Sequence, residues 1–168
     1  MRITLIGFMG SGKTVVGKSL ADKLNIKFID MDTEIEKIEK KTISNIFKED
    51  GEDYFRKLES DLLKVLLKED NIVISTGGGI ITRQENIDML KEEKRVVFLD
   101  ANVETIQKNV SKEINKRPLL KESKNIYETI DSLLKKRYDK YNGVSDMKIS
   151  INDKNINEVV SEMLVYIR

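Results

Sequence analysis

Short apolar runs along the chain alternate with longer stretches in which apolar residues recur every three or four positions. The short runs are Ile3–Ile6, Phe28–Ile29, Ile72–Ser75, Val96–Leu99 and Met147–Ile151. They are rich in β-branched residues and show little polar alternation, as strands buried on both faces do. Thr14–Leu24 sets Val16, Leu20 and Leu24 at helical spacing, and Tyr54–Leu67 does the same with Phe55, Leu58, Leu62, Leu63 and Leu66. Leu134–Tyr141 reads as the end of another amphipathic helix. Ile156–Ile167 reads as a last one, with Asn155 and Glu158 spaced as a capping box. This alternation predicts an α/β fold with a parallel sheet covered by helices. Ligands on such sheets bind beyond the carboxyl ends of the strands.

Composition narrows the chemistry. At 168 residues a single domain with its own core is expected. The 30 basic and 29 acidic side chains leave a net charge of +1, which argues against a nucleic-acid partner held by bulk positive charge. No apolar run approaches the ~20 residues of a membrane span. The chain begins directly with Arg2-Ile3-Thr4-Leu5-Ile6-Gly7, so a cytoplasmic protein without a membrane partner is expected. With neither His nor Cys, disulfides, thiolate nucleophiles, Ser-His-Asp triads and His- or Cys-held metals are excluded. Acid–base work falls to Asp, Glu, Lys or Tyr, and a metal would be a hard, oxygen-bound cation. Only seven of the basic residues are Arg (2, 56, 83, 95, 117, 137 and 168), so each Arg merits its own question.

Gly7-Phe8-Met9-Gly10-Ser11-Gly12-Lys13-Thr14 fits G-x-x-x-x-G-K-[ST], with a buried strand before it and a helix after it. In that context backbone N–H groups of Gly10, Ser11 and Gly12 turn toward phosphate oxygens and the helix N-terminus adds its dipole. Lys13 would reach the β- and γ-phosphates, and the Thr14 hydroxyl would ligate Mg²⁺. A nucleoside triphosphate site follows; what accepts the phosphate does not.

Four further segments bear on the acceptor. Asp30-Met31-Asp32 follows the second strand, and alternation along an extended segment would point both carboxylates to one side, for Mg²⁺ and for a substrate hydroxyl; Asp32 could equally be a helix N-cap. Arg56 and Glu59 share a helix face at i, i+3, either to grip a carboxylate or as an ordinary surface pair. Gly77-Gly78-Gly79 directly after a buried strand suggest backbone approaching a ligand closely. Arg117, within the polar stretch Ser111–Asn125, fits a lid that stabilises the transferring phosphoryl group, or a solvated loop. Arg137 is explained by the dipole alone if it lies in a last helical turn.

In order and spacing, GFMGSGKT, Asp30–Asp32, DGEDYFRKLE, STGGG, KRPLL and KKRYDKY together resemble the shikimate kinase family nearly end to end. The resemblance implies a three-layer P-loop kinase fold with a five-stranded parallel sheet of order 2-3-1-4-5. It implies a substrate-binding helical region at about 32–60 and a lid at about 111–125. The activity it implies is transfer of the ATP γ-phosphate to the 3-hydroxyl of shikimate by a monomer. Thr14 and Asp30 match the Mg²⁺ site, and Asp32 the group on the reacting hydroxyl. Arg56 and Arg137 match the grip on the substrate carboxylate. Gly77, Gly78 and Gly79 match the platform beside it. Lys13 and Arg117 match the groups that neutralise phosphate charge, and Glu59 the partner of Arg56.

The chain departs from the family pattern twice. Tyr138-Asp139-Lys140-Tyr141 follows Arg137 where Pro-Leu-Tyr is common, and no Arg precedes the lid in Gln107–Lys112 to stack on adenine. The base is therefore expected near Ile151-Asn152-Asp153, with Asn152 among its contacts. Two rivals remain from the sequence. One is a related small kinase for another hydroxy acid such as gluconate. The other is a nucleotide-binding module without activity, against which the intact Asp32, Arg56 and triple Gly argue.

Overall fold

The computed structural model describes residues 1–167. In chain order the elements are Arg2–Ile6 (β1), Lys13–Leu24 (α1), Lys27–Asp30 (β2), Met31–Glu39 (α2), Ile43–Glu49 (α3), Glu52–Leu66 (α4) and Ile72–Ser75 (β3). There follow Gln84–Lys91 (α5), Val96–Asp100 (β4), Val103–Val110 (α6), Pro118–Lys121 (α7), Ile126–Val144 (α8), Met147–Ser150 (β5) and Ile156–Ile167 (α9). The strands pair in parallel in the order β2-β3-β1-β4-β5, the expected topology. Asp30 and Leu5 both pair with Ser75, so three strands end level with one another.

Helices cover both faces because both faces are apolar. On one side Ile6, Ile74 and Phe98 pack with Leu63, Ile130 and Tyr141 from α4 and α8. On the other, Leu5, Val73 and Val97 pack with Val16 and Leu20 of α1 and with Val160 and Met163 of α9. A small third cluster, Ile35, Ile46 and Phe55, holds α2, α3 and α4 together beside the sheet. The expected capping box is present: Asn155 N–H donates to Glu158 Oε2 at 2.7 Å, and Glu158 N–H donates to Asn155 Oδ1 at 3.1 Å. Among the described residues no helix is long and apolar enough to cross a membrane.

Three local expectations need correction. The strand β2 stops at Asp30 and Asp32 already lies in the first turn of α2, so the two carboxylates are not related by strand alternation. The cap of α2 is Asp30, whose Oδ1 accepts from Thr33 N–H at 3.1 Å; Asp32 is not the cap. Arg137 lies in the middle of the 19-residue α8, since Tyr141 and Val144 carry its apolar face two turns further. Its position therefore owes nothing to a helix C-terminus. The polar stretch 111–125 contains a 3₁₀ turn at Ile114–Lys116 and the short α7, which begins with Pro118 at its first position and buries Leu120.

Candidate active site

The loop between β1 and α1 turns on glycines with positive φ, 74° at Gly10 and 79° at Gly12, a region that side chains avoid. The turn brings the start of α1 back over the end of β1. Lys13 is buried there, and its ammonium donates to the carbonyls of Gly7 at 2.8 Å and Phe8 at 2.9 Å. Burial lowers its pKa to about 8, with Asp32 opposing and Arg117 adding to the effect. A cation held by its own loop's carbonyls at the start of a helix is positioned to exchange those carbonyls for phosphate oxygens.

Next to it the Thr14 hydroxyl donates to Asp30 Oδ2 at 2.6 Å, and the Ser75 hydroxyl donates to the same oxygen at 3.1 Å. Thr14 and Asp30 thus meet as the sequence predicts. Ser75 was not singled out, although its place at the end of β3, level with Asp30, marks it. Asp32 Oδ1 is buried with no hydrogen-bond partner among the described residues. Burial raises the Asp32 pKa, the charge of Asp30 adds to the rise, and Lys13, Arg117 and Arg56 oppose it.

The three glycines after β3 are crowded by the protein's own atoms. A Cβ on Gly77 would overlap Glu59 Oε1 and stand 3.0 Å from Asp32 Oδ1; one on Gly78 would stand 2.9 Å from Met9 N; one on Gly79 would overlap the Arg56 guanidinium. The sequence suggests close approach to a ligand; the close neighbours of these glycines in the structure are side chains of α2 and α4 and the backbone of the phosphate loop. Arg56 is 7% exposed and stands beside the paired rings of Phe47 and Phe55, 5.9 and 5.3 Å from their centroids. It donates to Glu59 Oε2 at 2.7 Å and to Glu52 Oε1 at 3.1 Å. It is therefore a buried, oriented cation, not a surface one. Glu59 keeps its other oxygen unpaired, and burial raises its pKa to about 7 against the pull of Arg56. Arg137, also 7% exposed, lies over Phe8 at 5.7 Å and donates to the Gly78 carbonyl at 3.4 Å.

A cleft of about 970 Å³ runs along these groups. Lys13, Thr14, Asp30, Asp32, Gly78 and Arg117 line it, together with Gly10, Ser11 and Gly12. Arg56, Gly77, Gly79 and Arg137 are set back from it. Arg117, in the 111–125 segment, lines it with its Nε unpaired and pairs with Glu113 at 3.5 Å. The 111–125 segment touches α3, where the Ser44 hydroxyl donates to the Asn115 carbonyl at 3.4 Å. At the far end of the cleft Ile151 and Asp153 form part of the wall but Asn152 does not. The Asn152 Oδ1 accepts from Asn102 N–H and from the Thr105 hydroxyl, both at 2.9 Å, so its side chain fastens β5 to α6.

The site brings a phosphate cradle within one cleft of a buried carboxylate that is backed by two buried arginines. Such a site can hold a triphosphate and a small anionic acceptor side by side. Comparison with known proteins gives a consistent result. A model of the family described as shikimate kinase matches residues 9–168. A shikimate kinase of Clostridium botulinum (strain Alaska E43 / Type E3) is 44% identical over 162 residues, covering 96% of this chain and 94% of that protein. One of Persephonella marina is 43% identical, covering 99% and 98%. The solved shikimate kinase from Acinetobacter baumannii in complex with shikimate superposes with a TM-score of 0.94 at 36% identity, covering 99% of this chain and 92% of that one.

Proposed function

The chain belongs to the shikimate kinase family, and on that premise we propose that it transfers the γ-phosphate of ATP to the 3-hydroxyl of shikimate, giving shikimate 3-phosphate and ADP. The observation that carries the reading is the unpaired Asp32 carboxylate facing the same cleft as Lys13, with Arg56 buried behind it. A gluconate kinase is not favoured, because the near relatives share the shikimate kinase name over nearly their whole length. Mere nucleotide binding would leave Asp32, Arg56 and the glycine triplet without a task.

In this reading the phosphate loop and Lys13 hold the triphosphate, and Arg117 draws in from the lid to face the transferring group. Asp32 accepts a hydrogen bond from the attacking hydroxyl and takes its proton as the new P–O bond forms and the bond from the γ-phosphorus to the bridging oxygen breaks, that oxygen leaving with ADP. Arg56 and Arg137 orient the acceptor through its carboxylate, with Gly77, Gly78 and Gly79 leaving room beside it. Little covalent chemistry is asked of the protein; positioning and charge stabilisation supply the rate. That suits a chain lacking His and Cys. Residues 32–60 serve as the acceptor-binding region and 111–125 as the lid of one monomeric domain.

Mg²⁺ fits the oxygens present. Thr14 and Asp30 converge within 2.6 Å, and no group of three or more Asp or Glu forms a cage among the described residues. A cation held by one or two protein oxygens, with water and substrate phosphate completing its shell, is the arrangement Mg²⁺ prefers. When bound it neutralises charge on the phosphates. The testing experiment is ADP release by the purified chain with ATP and Mg²⁺. Release should depend on added shikimate; equal turnover with gluconate, or none with either acid, would overturn the reading.

A further inference from the structure

Arg137 and Tyr141 stand four residues apart on α8 and so project from one face. Both are buried, at 7% and 0% exposure. Both reach the same acceptor: the Tyr141 hydroxyl donates to the Gly78 carbonyl, and Arg137 Nη1 donates to it at 3.4 Å. The second bond is near the outer limit of useful geometry, so the hydroxyl is the principal donor. The Tyr141 ring is stacked on Phe98 of β4, with centroids 5.2 Å apart and planes at 25°. The hydroxyl is therefore placed by the sheet core, independently of the glycine loop. Burial pushes its pKa up to about 12, so it remains a donor throughout the neutral range.

The two buried arginines differ in how they are satisfied. Arg56 is paired with Glu59 and Glu52, whereas Arg137 makes no ion pair with a carboxylate among the described residues. A buried guanidinium whose polar neighbours are neutral, the Gly78 carbonyl at 3.4 Å and the Tyr141 hydroxyl, has donors to spare for an anion.

We propose that Tyr141 is a positioning residue: by occupying the Gly78 carbonyl it keeps the Arg137 guanidinium available to the carboxylate of the acceptor. The proposal rests on the reading of Arg137 as a carboxylate-binding group given above. Without the hydroxyl, the part-buried Gly78 carbonyl would have Arg137 as its remaining side-chain donor. The guanidinium would then close on that carbonyl with a charge-assisted bond, and acceptor binding would have to break it. The glycine loop also packs on Met9 N through Gly78, but the triphosphate is held by the phosphate loop itself, so the effect falls on the acceptor.

The test is steady-state kinetics of Tyr141→Phe, which keeps the ring and its stack, alongside Arg137→Ala and the double variant. Tyr141→Phe should raise the shikimate KM about tenfold, with kcat at saturating shikimate and the ATP KM within about twofold. In the Arg137→Ala background, removing the hydroxyl should leave the shikimate KM unchanged, because the residue it protects is gone. If Arg137→Ala itself leaves that KM unchanged, the assignment of Arg137 fails and takes the proposal with it. If Arg137→Ala raises the KM but Tyr141→Phe only lowers Tm, the assignment of Arg137 survives and the positioning role of Tyr141 is overturned. Equal effects of Tyr141→Phe in both backgrounds would also overturn it.

Discussion

Oδ1 of Asp32 and Oε1 of Glu59, one from α2 and one from α4, converge on the space a Cβ of Gly77 would fill, and neither has a hydrogen-bond partner among the described residues. Two unsatisfied carboxylate oxygens at one spot are costly unless a hydroxyl or a proton comes between them. Asp32→Asn keeps the shape but removes the base. It should lower kcat by about 100-fold or more while the ATP KM changes little. Steady-state kinetics with each substrate varied in turn would show this, and near-normal turnover would remove Asp32 from the chemistry.

The second carboxyl should be visible in folding. Burial raises the Glu59 pKa from 4.5 to about 7. Between those values the folded chain keeps a proton that the unfolded chain has released. Its contribution to stability is full below about pH 4.5 and is lost as pH rises through about 7. The unfolding free energy from urea denaturation should fall across this range by an amount on the order of 1–3 kcal/mol. Glu59→Gln should flatten that slope, and an unaltered slope would assign it to other groups.

Lys13 gives a signature of its own. In the free protein its pKa is lowered to about 8, and a triphosphate beside it would favour the charged form. Binding of ATP at pH 8.5 to 9 should therefore take up a proton, with uptake rising toward about one per ATP as the lysine empties. Affinity should decline over the same range. Calorimetry in buffers of different ionisation enthalpy measures the uptake directly, and a heat independent of buffer would contradict the shift.

Asp30 has two tasks that one substitution separates. It caps α2 through Thr33 N–H and meets the Thr14 hydroxyl. Asn caps a helix about as well as Asp but brings no charge to a cation. Asp30→Asn should keep Tm within a few degrees and raise the free Mg²⁺ needed for half-maximal rate by about tenfold. Chelation of the metal should stop turnover in both proteins. A large loss of Tm with an unchanged Mg²⁺ requirement would reverse the assignment.

The parts of the fold that the sequence displays are those governed by local rules. Uninterrupted apolar strands, a glycine loop ahead of Lys13 and the Asn155–Glu158 spacing each specify their own geometry. Arg56 and Glu59 are legible as neighbours because α4 fixes the i, i+3 relation; the burial of Arg56 is not, because it depends in part on Phe47, from another helix, standing beside it. Asp32 was read in the wrong local frame. A capping Asp30 turns the chain into a helix one residue after the strand, and Phe-Ile-Asp-Met-Asp looks extended until that cap is recognised. Arg137 was obscured by Lys135 and Lys136, which make its neighbourhood resemble a basic helix end. What places it inside is Tyr141 one turn on, whose ring finds Phe98 from a distant strand. The side chain of Asn152 is bound to a neighbouring element, a long-range pairing that its sequence neighbourhood does not show.

The crowding around Gly77 and Gly79 also decides where this catalyst could be re-engineered. A methyl group at either position collides with Glu59 or with Arg56, so no single substitution there leaves the charges beside the cleft in place. A library seeking a different acid should hold the triplet constant and diversify Thr33, Glu36 and Ile43, which line the same cleft and carry their variation on side chains.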